Sequence, residues 1–404
     1  MRRILKHWVL RPLAAYLFAR FLHRVYLILS SIRSNPTIKR LRSGVGDRIA
    51  QQCPSLFLPY QPSSILYYSG ILSTALYPWF KTRCTDPPNY HRQTFQLPVF
   101  HNTDNFSCCP KIVPTGEVSL DWAGAPETHA DSIYIVVPGL TGSSDAYYMQ
   151  AFVQHMKEHH GGARIGAYNP RGQGGNRMAS NFLYSGGYTH DLRYVIQHVY
   201  QNIAANRPIF VVGFSLGGNV VTKMIGEDGE HCVVTGAICC SPPIDFLSMS
   251  NHLSTSFTGK VLDSFLVKQC NRKALSGAGA EYFRHIIQKN RPTTMRQFDG
   301  QIIAPMMGCQ SASHYYREAS SGPWLHKIRV PMLFVLPEDD PIVDGCRIRR
   351  DDFATNPCLI GVFTKFGGHT MDLPCHNKQH SSFEGSSWFD KIVVEFTRAV
   401  LKTK

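Results

Sequence analysis

From about residue 132 onward, short apolar runs alternate with segments of helical length. Each run ends in Gly, Pro or Ser, a rhythm that predicts alternating strands and helices. Several runs are apolar at every position, which is typical of strands buried on both faces of a parallel sheet. The predicted strands are Ser132–Val137, Ala163–Tyr168, Ile209–Gly213, Thr235–Cys240, Met332–Leu336 and Leu359–Thr364.

Between these strands the chain has stretches with helical character. One long gap, about 243–328, lacks strand signals and has helical stretches around Asn251–Cys270 and Glu281–Lys289. Because a structureless loop of that length is uncommon in a compact domain, we predict a helical cap inserted before the strand Met332–Leu336. The other predicted helices are Tyr147–His159, Tyr188–Asn202, Gly217–Ile225 and Phe389–Leu401.

The first 46 residues differ from the rest, with ten Lys and Arg and no acid. The apolar stretch Trp8–Ser30 is interrupted by charge, so a clean transmembrane span is not expected. On a helix begun at Pro12, Arg20, His23 and Arg24 share one face, which indicates an interfacial membrane anchor. An Arg-rich mitochondrial presequence and an ordinary core helix are the alternatives. Residues 1–46 are therefore predicted to anchor or target a domain spanning 47–404.

The formal net charge of +14 is concentrated in that segment. The remaining 358 residues have 32 basic and 28 acidic residues, which is too small an excess to attract DNA or RNA. No nucleic-acid partner is expected. Membrane association is predicted, at the endoplasmic reticulum or another intracellular membrane, with the mitochondrion as the alternative.

Twelve cysteines occur in the 404 residues, far fewer than in disulfide-stapled secreted domains. Two adjacent pairs, Cys108-Cys109 and Cys239-Cys240, and the absence of C-x-x-C favour reduced, mostly buried thiols. No His/Cys group has zinc spacing, so no metal is predicted.

The predicted strand Ile209–Gly213 runs into Gly213-Phe214-Ser215-Leu216-Gly217 and then into a predicted helix. A strand, a G-x-S-x-G turn and a helix form the context of a nucleophilic serine. Glycines two positions either side of Ser215 allow strand and helix to approach while the hydroxyl projects outward. Ser215 is the candidate nucleophile.

A serine hydroxyl needs a base to take its proton and a carboxylate to orient that base. Asp339 and Asp340 follow the strand Met332–Leu336, and His369 follows two glycines beyond the strand Leu359–Thr364. We predict Asp340 as the acid, since the D-x-x-V spacing starts there, with Asp339 as the alternative. His369 is the predicted base, and the order Ser, Asp, His is that of α/β-hydrolases.

Acyl transfer also requires two N–H donors aimed at a negative oxygen. The glycine-containing loop after the strand Ser132–Val137 is where such enzymes place one donor, and Leu140 N–H is the candidate there. Leu216 N–H, next after the nucleophile, is the second candidate. A plain glycine turn is the alternative for the first.

These residues lie within motifs that resemble the YheT-type branch of the α/β-hydrolase superfamily, which includes animal abhydrolase-domain proteins and fungal ethyl-ester synthase/esterases. The resemblance spans roughly residues 60–395. The stretch Gly70–Thr74 lacks the His that is common near that position in the family. Pro138 replaces the His that usually precedes the oxyanion Gly. Residues 371–386 resemble an insertion after the predicted base. Matching stretches are Leu120-Asp121-Trp122, Pro138-Gly139-Leu140-Thr141-Gly142, Asn169-Pro170-Arg171-Gly172, Thr189-His190-Asp191-Leu192, Gly213-Phe214-Ser215-Leu216-Gly217-Gly218, Phe298-Asp299, Tyr315-Tyr316-Arg317, Asp339-Asp340-Pro341 and Gly367-Gly368-His369.

The resemblance implies an α/β-hydrolase fold with a mostly parallel central sheet, flanking helices and a helical cap. It also implies a serine esterase or lipase that acts on acylglycerol, phospholipid or shorter acyl esters, without metal or organic cofactor. An alcohol O-acyltransferase using the same acyl-enzyme on Ser215 is the alternative. A non-catalytic scaffold is disfavoured because nucleophile, acid, base and oxyanion loop follow in order.

Overall fold

The structure is a computed structural model in which only part of the chain is described. Most of the predicted anchor, including Trp8–Ser30, and the insertion 371–386 lie outside this part. Among the described residues, no helix is both long and apolar enough to cross a membrane. The described residues are 39–41, 45–57, 69–71, 73–74, 87–102, 110–276, 280–345, 348, 350–369 and 388–403.

A nine-stranded sheet forms the centre of the described fold, in the order β1-β11-β10-β9-β8-β6-β7-β5-β2. The six strands from β11 to β7 are parallel, and β1, β5 and β2 add antiparallel edges. Strands β3 and β4 pair separately. The strands are β1 Lys39–Leu41, β2 His91–Leu97, β3 Phe100–His101, β4 Ile112–Val113, β5 Gly116–Gly124, β6 Ser132–Val137, β7 Ala163–Asn169, β8 Ile209–Phe214, β9 Gly236–Cys240, β10 Met332–Pro337 and β11 Leu359–Thr364.

Helices cover both faces of the sheet, as strands that are apolar at every position require. Successive strand residues point to opposite faces, so Val211 packs into one core and Val212 into the other. Cys239 and Cys240 separate in the same way. The described α-helices are α1 Val45–Gln51, α2 Tyr147–His159, α3 His190–Asn202, α4 Leu216–Asp228, α5 Phe246–Thr255, α6 Phe257–Ala274, α7 Ala280–Asn290, α8 Met295–Phe298, α9 Ala304–Met306, α10 Ala312–Ala319, α11 Asp351–Ala354 and α12 Trp388–Thr403.

The mostly parallel sheet with flanking helices confirms the predicted fold class, and β6, β11 and α2 have the predicted bounds. The other predicted strands differ from those observed by one residue. The sequence did not reveal β1, β2 and β5. The strand β2 is half exposed and carries polar residues, so it lacks the continuous apolar signal of the central strands.

The fold begins before residue 47, where the sequence placed the start of the domain. Strand β1 pairs antiparallel with β11. In α1, Gly46 N–H donates to Pro357 C=O at 2.8 Å, and Ile49 is fully buried. The last part of the predicted anchor segment therefore belongs to the sheet and its packing.

Between β9 and β10 lie α5 to α10, a π-helix at Asp299–Ile303 and a 3₁₀ helix at Gly322–Lys327. This helical region occupies the range assigned to the cap. Its apolar side chains, among them Phe246, Val267 and Phe283, form one buried cluster with residues outside the cap such as Leu216. The cap is thus joined to the rest of the fold by side-chain packing.

Candidate active site

Ser215 sits between the end of β8 and the start of α4. Its backbone has φ 51° and ψ −121°, a conformation that non-glycine residues rarely adopt. Its N–H donates to Cys240 C=O on the neighbouring strand at 2.9 Å, which helps to hold the turn. Such a strained turn is what makes a nucleophile protrude from a strand-to-helix junction.

The two glycines that flank Ser215 are required by close packing. A Cβ on Gly213 would lie 2.6 Å from Gly218 Cα. A Cβ on Gly217 would lie 2.5 Å from the carbonyl oxygens of Val137 and Pro138. Since real Cβ atoms are essentially never within 3.0 Å of such atoms, any larger residue would force strand and helix apart.

The structure brings Ser215, His369 and Asp340 into one hydrogen-bonded chain. His369 Nε2 lies 2.8 Å from Ser215 Oγ, and His369 Nδ1 lies 2.7 Å from Asp340 Oδ2. Both distances are within hydrogen-bond range. The imidazole thus lies between a hydroxyl and a carboxylate, the arrangement that a general base requires.

The tandem acids have distinct positions. Asp340 Oδ1 accepts the N–H groups of Ile342 and Val343, at 2.8 and 3.0 Å, which leaves Oδ2 for His369. Asp339 instead points to the loop that carries the histidine, where its Oδ1 accepts Gly368 N–H at 2.9 Å. Burial, with the neighbouring Asp340 charge, raises the pKa of Asp339 to about 7.

The loop before His369 is braced from an unexpected direction, by residues 69–74. His369 N–H donates to Thr74 Oγ1 at 2.9 Å, and Ser73 Oγ donates to Gly367 C=O at 3.2 Å. Thr74 Oγ1 in turn donates to Gly70 C=O at 2.7 Å. In the sequence, this stretch differs from the family pattern only by the His it lacks, and no local pattern links it to a histidine 295 residues later.

Both candidate oxyanion donors lie beside the nucleophile. Leu140 and Leu216 line the same cavity as Ser215 and His369. Leu216 is the first residue of α4, so its N–H belongs to the first turn and has no partner within the helix. The loop after β6 is fixed by Gly139 N–H, which donates to Tyr148 Oη at 2.8 Å.

A cavity of about 220 Å³ opens onto Ser215. Apolar side chains from the cap form much of its lining, among them Phe246, Met249 and Leu266. An apolar lining of this kind suits an acyl chain. No group of three or more His, Cys, Asp or Glu suited to a metal ion occurs in the described part of the chain.

One acidic residue lines the cavity from the cap side. Asp299, 7 % exposed, accepts a hydrogen bond from Tyr316 Oη at 2.8 Å. Burial raises the pKa of Asp299 to about 7. Tyr315 also lines the cavity, whereas Tyr316 and Met307 belong to the core of the cap.

The alpha/beta hydrolase fold family model matches residues 135–351, more than half of the chain. The chain belongs to the α/β-hydrolase family. The matched range contains Leu140, Ser215, Leu216 and Asp340 and ends before His369. The family assignment thus confirms the predicted resemblance and covers most of the hydrogen-bonded site.

Three relatives show how far the similarity reaches. The chain is 30 % identical to a monoacylglycerol lipase of Saccharomyces cerevisiae over 247 residues, which cover 59 % of this chain and 54 % of that protein. It is 27 % identical to the embryogenesis-associated protein EMB8 of Picea glauca, covering 73 % and 66 %. It is 23 % identical to phospholipase ABHD3 of Homo sapiens, covering 93 % and 88 %. The chain therefore spans only about half of the yeast relative.

Among solved structures, the chain is similar to the Pyrococcus furiosus esterase Pf2001. The TM-score is 0.46 with 14 % sequence identity, covering 78 % of this chain and 98 % of that one.

Arg171 holds the loop after β7. The side chain is 3 % exposed, and its guanidinium donates to both Asp191 carboxylate oxygens at 2.6 and 2.9 Å. It also donates to the carbonyls of Pro114 and Thr115. Arg171 is a structural contact within the fold, and Asp191 lies in the first turn of α3.

Proposed function

We propose that this hydrolase cleaves carboxylic esters through an acyl-enzyme on Ser215. The observation that carries the proposal is the chain of hydrogen bonds from Ser215 through His369 to Asp340 at the mouth of an apolar cavity. In this order the carboxylate orients the imidazole, and the imidazole takes the proton of the serine hydroxyl, which makes the hydroxyl oxygen a nucleophile. The strained turn at Ser215 presents the hydroxyl to that cavity.

In the first half of the reaction, Ser215 Oγ attacks the ester carbonyl carbon while His369 Nε2 takes its proton. The N–H groups of Leu140 and Leu216 stabilise the negative oxygen of the tetrahedral intermediate. As the bond to the alcohol breaks, His369 returns the proton to the leaving oxygen. The alcohol departs and the acyl group remains on Ser215.

In the second half, His369 takes a proton from water, and the resulting hydroxide attacks the acyl carbonyl. The bond to Ser215 Oγ then breaks, and His369 returns the proton to the serine. Asp340 keeps the imidazole in the required tautomer and stabilises its protonated form. Its second oxygen is held by the N–H groups of Ile342 and Val343.

The substrate class that fits best is a lipid ester, either an acylglycerol or a phospholipid. Apolar cap side chains line the cavity, and the relatives named above include a monoacylglycerol lipase and a phospholipase. An alcohol that entered in place of water would give ester synthesis from the same acyl-enzyme, the alternative left open by the sequence.

The test is labelling of the full chain by a fluorophosphonate probe, followed by turnover of esters of increasing acyl length. We expect Ser215→Ala to abolish labelling and to lower ester turnover by at least about 10³-fold, as removal of a triad member does. Ser254→Ala, an exposed serine of the cap, is the matched control. Labelling that survives in Ser215→Ala would disprove the proposal, and added alcohol would reveal any acyl transfer.

We further propose that residues 1–38 bring the hydrolase to an intracellular membrane. The support is the basic, acid-free and apolar composition of this segment. Since β1 and α1 belong to the fold, the truncation that tests the proposal must keep residue 39 onward. We expect a smaller share of the truncated protein than of the full chain in the membrane fraction, with turnover of a soluble short-chain ester retained. An equal share of both proteins in the membrane fraction would contradict the proposal.

A further inference from the structure

The outer face of α6 exposes three large apolar side chains on successive turns. Phe257, Val261 and Phe265 are 83 %, 56 % and 56 % exposed. Phe257 is the most exposed large hydrophobic side chain among the described residues. Residues four apart lie on one side of a helix, so the three form a continuous apolar strip, called here the α6 face.

The exposure does not result from a loose helix end. Ser256 caps α6 by accepting Gly259 N–H at 2.9 Å, and Asp263 and Val267 on the opposite side are buried. The helix is therefore fixed on its inner side. Scattered single apolar residues are common on protein surfaces, but a strip of this kind marks a binding surface.

The exposed charges of α6 itself are basic. Lys260, Lys268 and Arg272 are exposed on the same helix. Asp263 is the one acidic residue of α6, and it is buried, where it accepts Met295 N–H at 2.9 Å. An apolar strip next to basic side chains matches a surface of anionic lipid head groups above acyl chains.

The inner side of the same helix reaches the catalytic cavity. Leu266, Cys270 and Ala274 of α6 line the cavity that also contains Ser215. One helix therefore lies between the outer apolar strip and the cavity. A surface docked at the α6 face would lie next to the cap wall of the site.

We propose that the α6 face of the cap docks onto an anionic phospholipid bilayer. Phe257 and Phe265 insert at the boundary between head groups and acyl chains, while Lys260, Lys268 and Arg272 contact phosphate groups. This second membrane contact is separate from residues 1–38. The use of this contact for lipid turnover rests on the proposed ester hydrolysis, whereas the docking of the α6 face is independent of it.

The direct test places a tryptophan reporter on the α6 face of the full chain. Phe257→Trp is mixed with vesicles of phosphatidylcholine and phosphatidylserine whose acyl chains carry bromine, a short-range quencher. We expect quenching beyond that of the wild-type chain. Tyr194→Trp, an exposed aromatic on α3, is the matched control and should add none. Equal quenching in the two variants would overturn the proposal.

The functional test uses Phe257→Asp/Phe265→Asp, both at exposed positions outside the cavity lining. We expect turnover of a vesicle-embedded ester to fall at least about fivefold, because charged side chains cannot enter the acyl boundary. Turnover of a soluble short-chain ester should change less than about twofold. The control Tyr194→Asp/Tyr200→Asp should leave both rates near wild type. Unchanged vesicle turnover in the α6 variant would count against docking.

Other occupants of the α6 face give different results. If a second copy of the chain covers the face, light scattering will show a dimer for the wild type and a monomer for Phe257→Asp/Phe265→Asp. In that case Phe257→Trp will show no lipid quenching beyond that of the wild type. This outcome would overturn bilayer docking. If lipid quenching occurs but no ester is cleaved, docking stands and the proposed hydrolysis fails.

Discussion

The sheet side and the cap side of the site hold acidic residues in contrasting ways. On the sheet side, Asp340 accepts two backbone N–H groups besides contacting His369. On the cap side, Asp299 accepts one side-chain hydroxyl, from Tyr316, and burial raises its pKa to about 7. Asp340 is thus positioned by backbone groups after a strand end, whereas the position of Asp299 depends on helix packing.

The sheet side therefore positions the reacting groups, whereas the cap side shapes the cavity. Loops after parallel strands place Ser215, Asp340 and His369 at one edge of the sheet, and hydrogen bonds to backbone groups hold each of these loops. The cap wall consists of side chains from several helices, including the π-helical turn at Asp299–Ile303. We expect changes on the sheet side to affect the rate of the chemical step and changes on the cap side to affect stability and substrate choice.

The largest expected effect comes from Asp340→Asn. The amide keeps an acceptor for the N–H groups of Ile342 and Val343, but it cannot hold His369 in the required tautomer. We expect kcat/KM for a soluble ester to fall by about 10³- to 10⁴-fold with the fold intact. Steady-state kinetics and circular dichroism would check this.

The matched control is the neighbouring residue, Asp339→Asn. Asparagine keeps an acceptor for Gly368 N–H, so a loss of less than about tenfold is expected. Asp339→Ala removes that acceptor and should cost more than Asp339→Asn, since the loop before His369 loses a contact. If Asp339→Asn were more damaging than Asp340→Asn, the assignment of the acid would be reversed.

On the cap side, a smaller effect is expected from Asp299→Asn, and the quantity that changes is the free energy of unfolding. The pKa of Asp299 is about 7 in the folded chain against an ordinary value of 3.8, so the folded state favours the neutral form. Wild-type stability therefore falls as the pH rises from about 4 to about 7, where the buried group must ionise. Asparagine removes this cost and should stabilise the chain by up to about 4 kcal/mol at about pH 8.

The measurement is urea unfolding of both proteins between about pH 4 and pH 8. The gain in the free energy of unfolding from Asp299→Asn should vanish toward the acidic end of this pH range. Asp145→Asn, at an exposed position, serves as the control and should leave the pH dependence unchanged. A gain of equal size at both ends of the range would show that folding does not raise the pKa of Asp299.

Much of the fold and of the candidate site was readable from local sequence. Continuous apolar runs predicted the central strands because residues buried on both faces must be apolar at each position. The G-x-S-x-G turn predicted the position of Ser215, since the close approach of β8 and α4 leaves no room for a Cβ at Gly213 or Gly217. Carboxyl ends of parallel strands share one edge, so residues following three strands were expected to converge.

The tertiary structure decided what depends on contacts between distant parts of the chain. Adjacent acids look alike in sequence, and only the direction of each side chain shows that Asp340 meets His369 while Asp339 meets Gly368. The brace from Thr74 to His369 and the pair of Asp299 with Tyr316 also join segments without a shared local pattern. The exposure of the α6 face likewise follows from which side of the helix packs inward. Local sequence sets backbone conformation, but side-chain partners are set by how helices and loops pack in three dimensions.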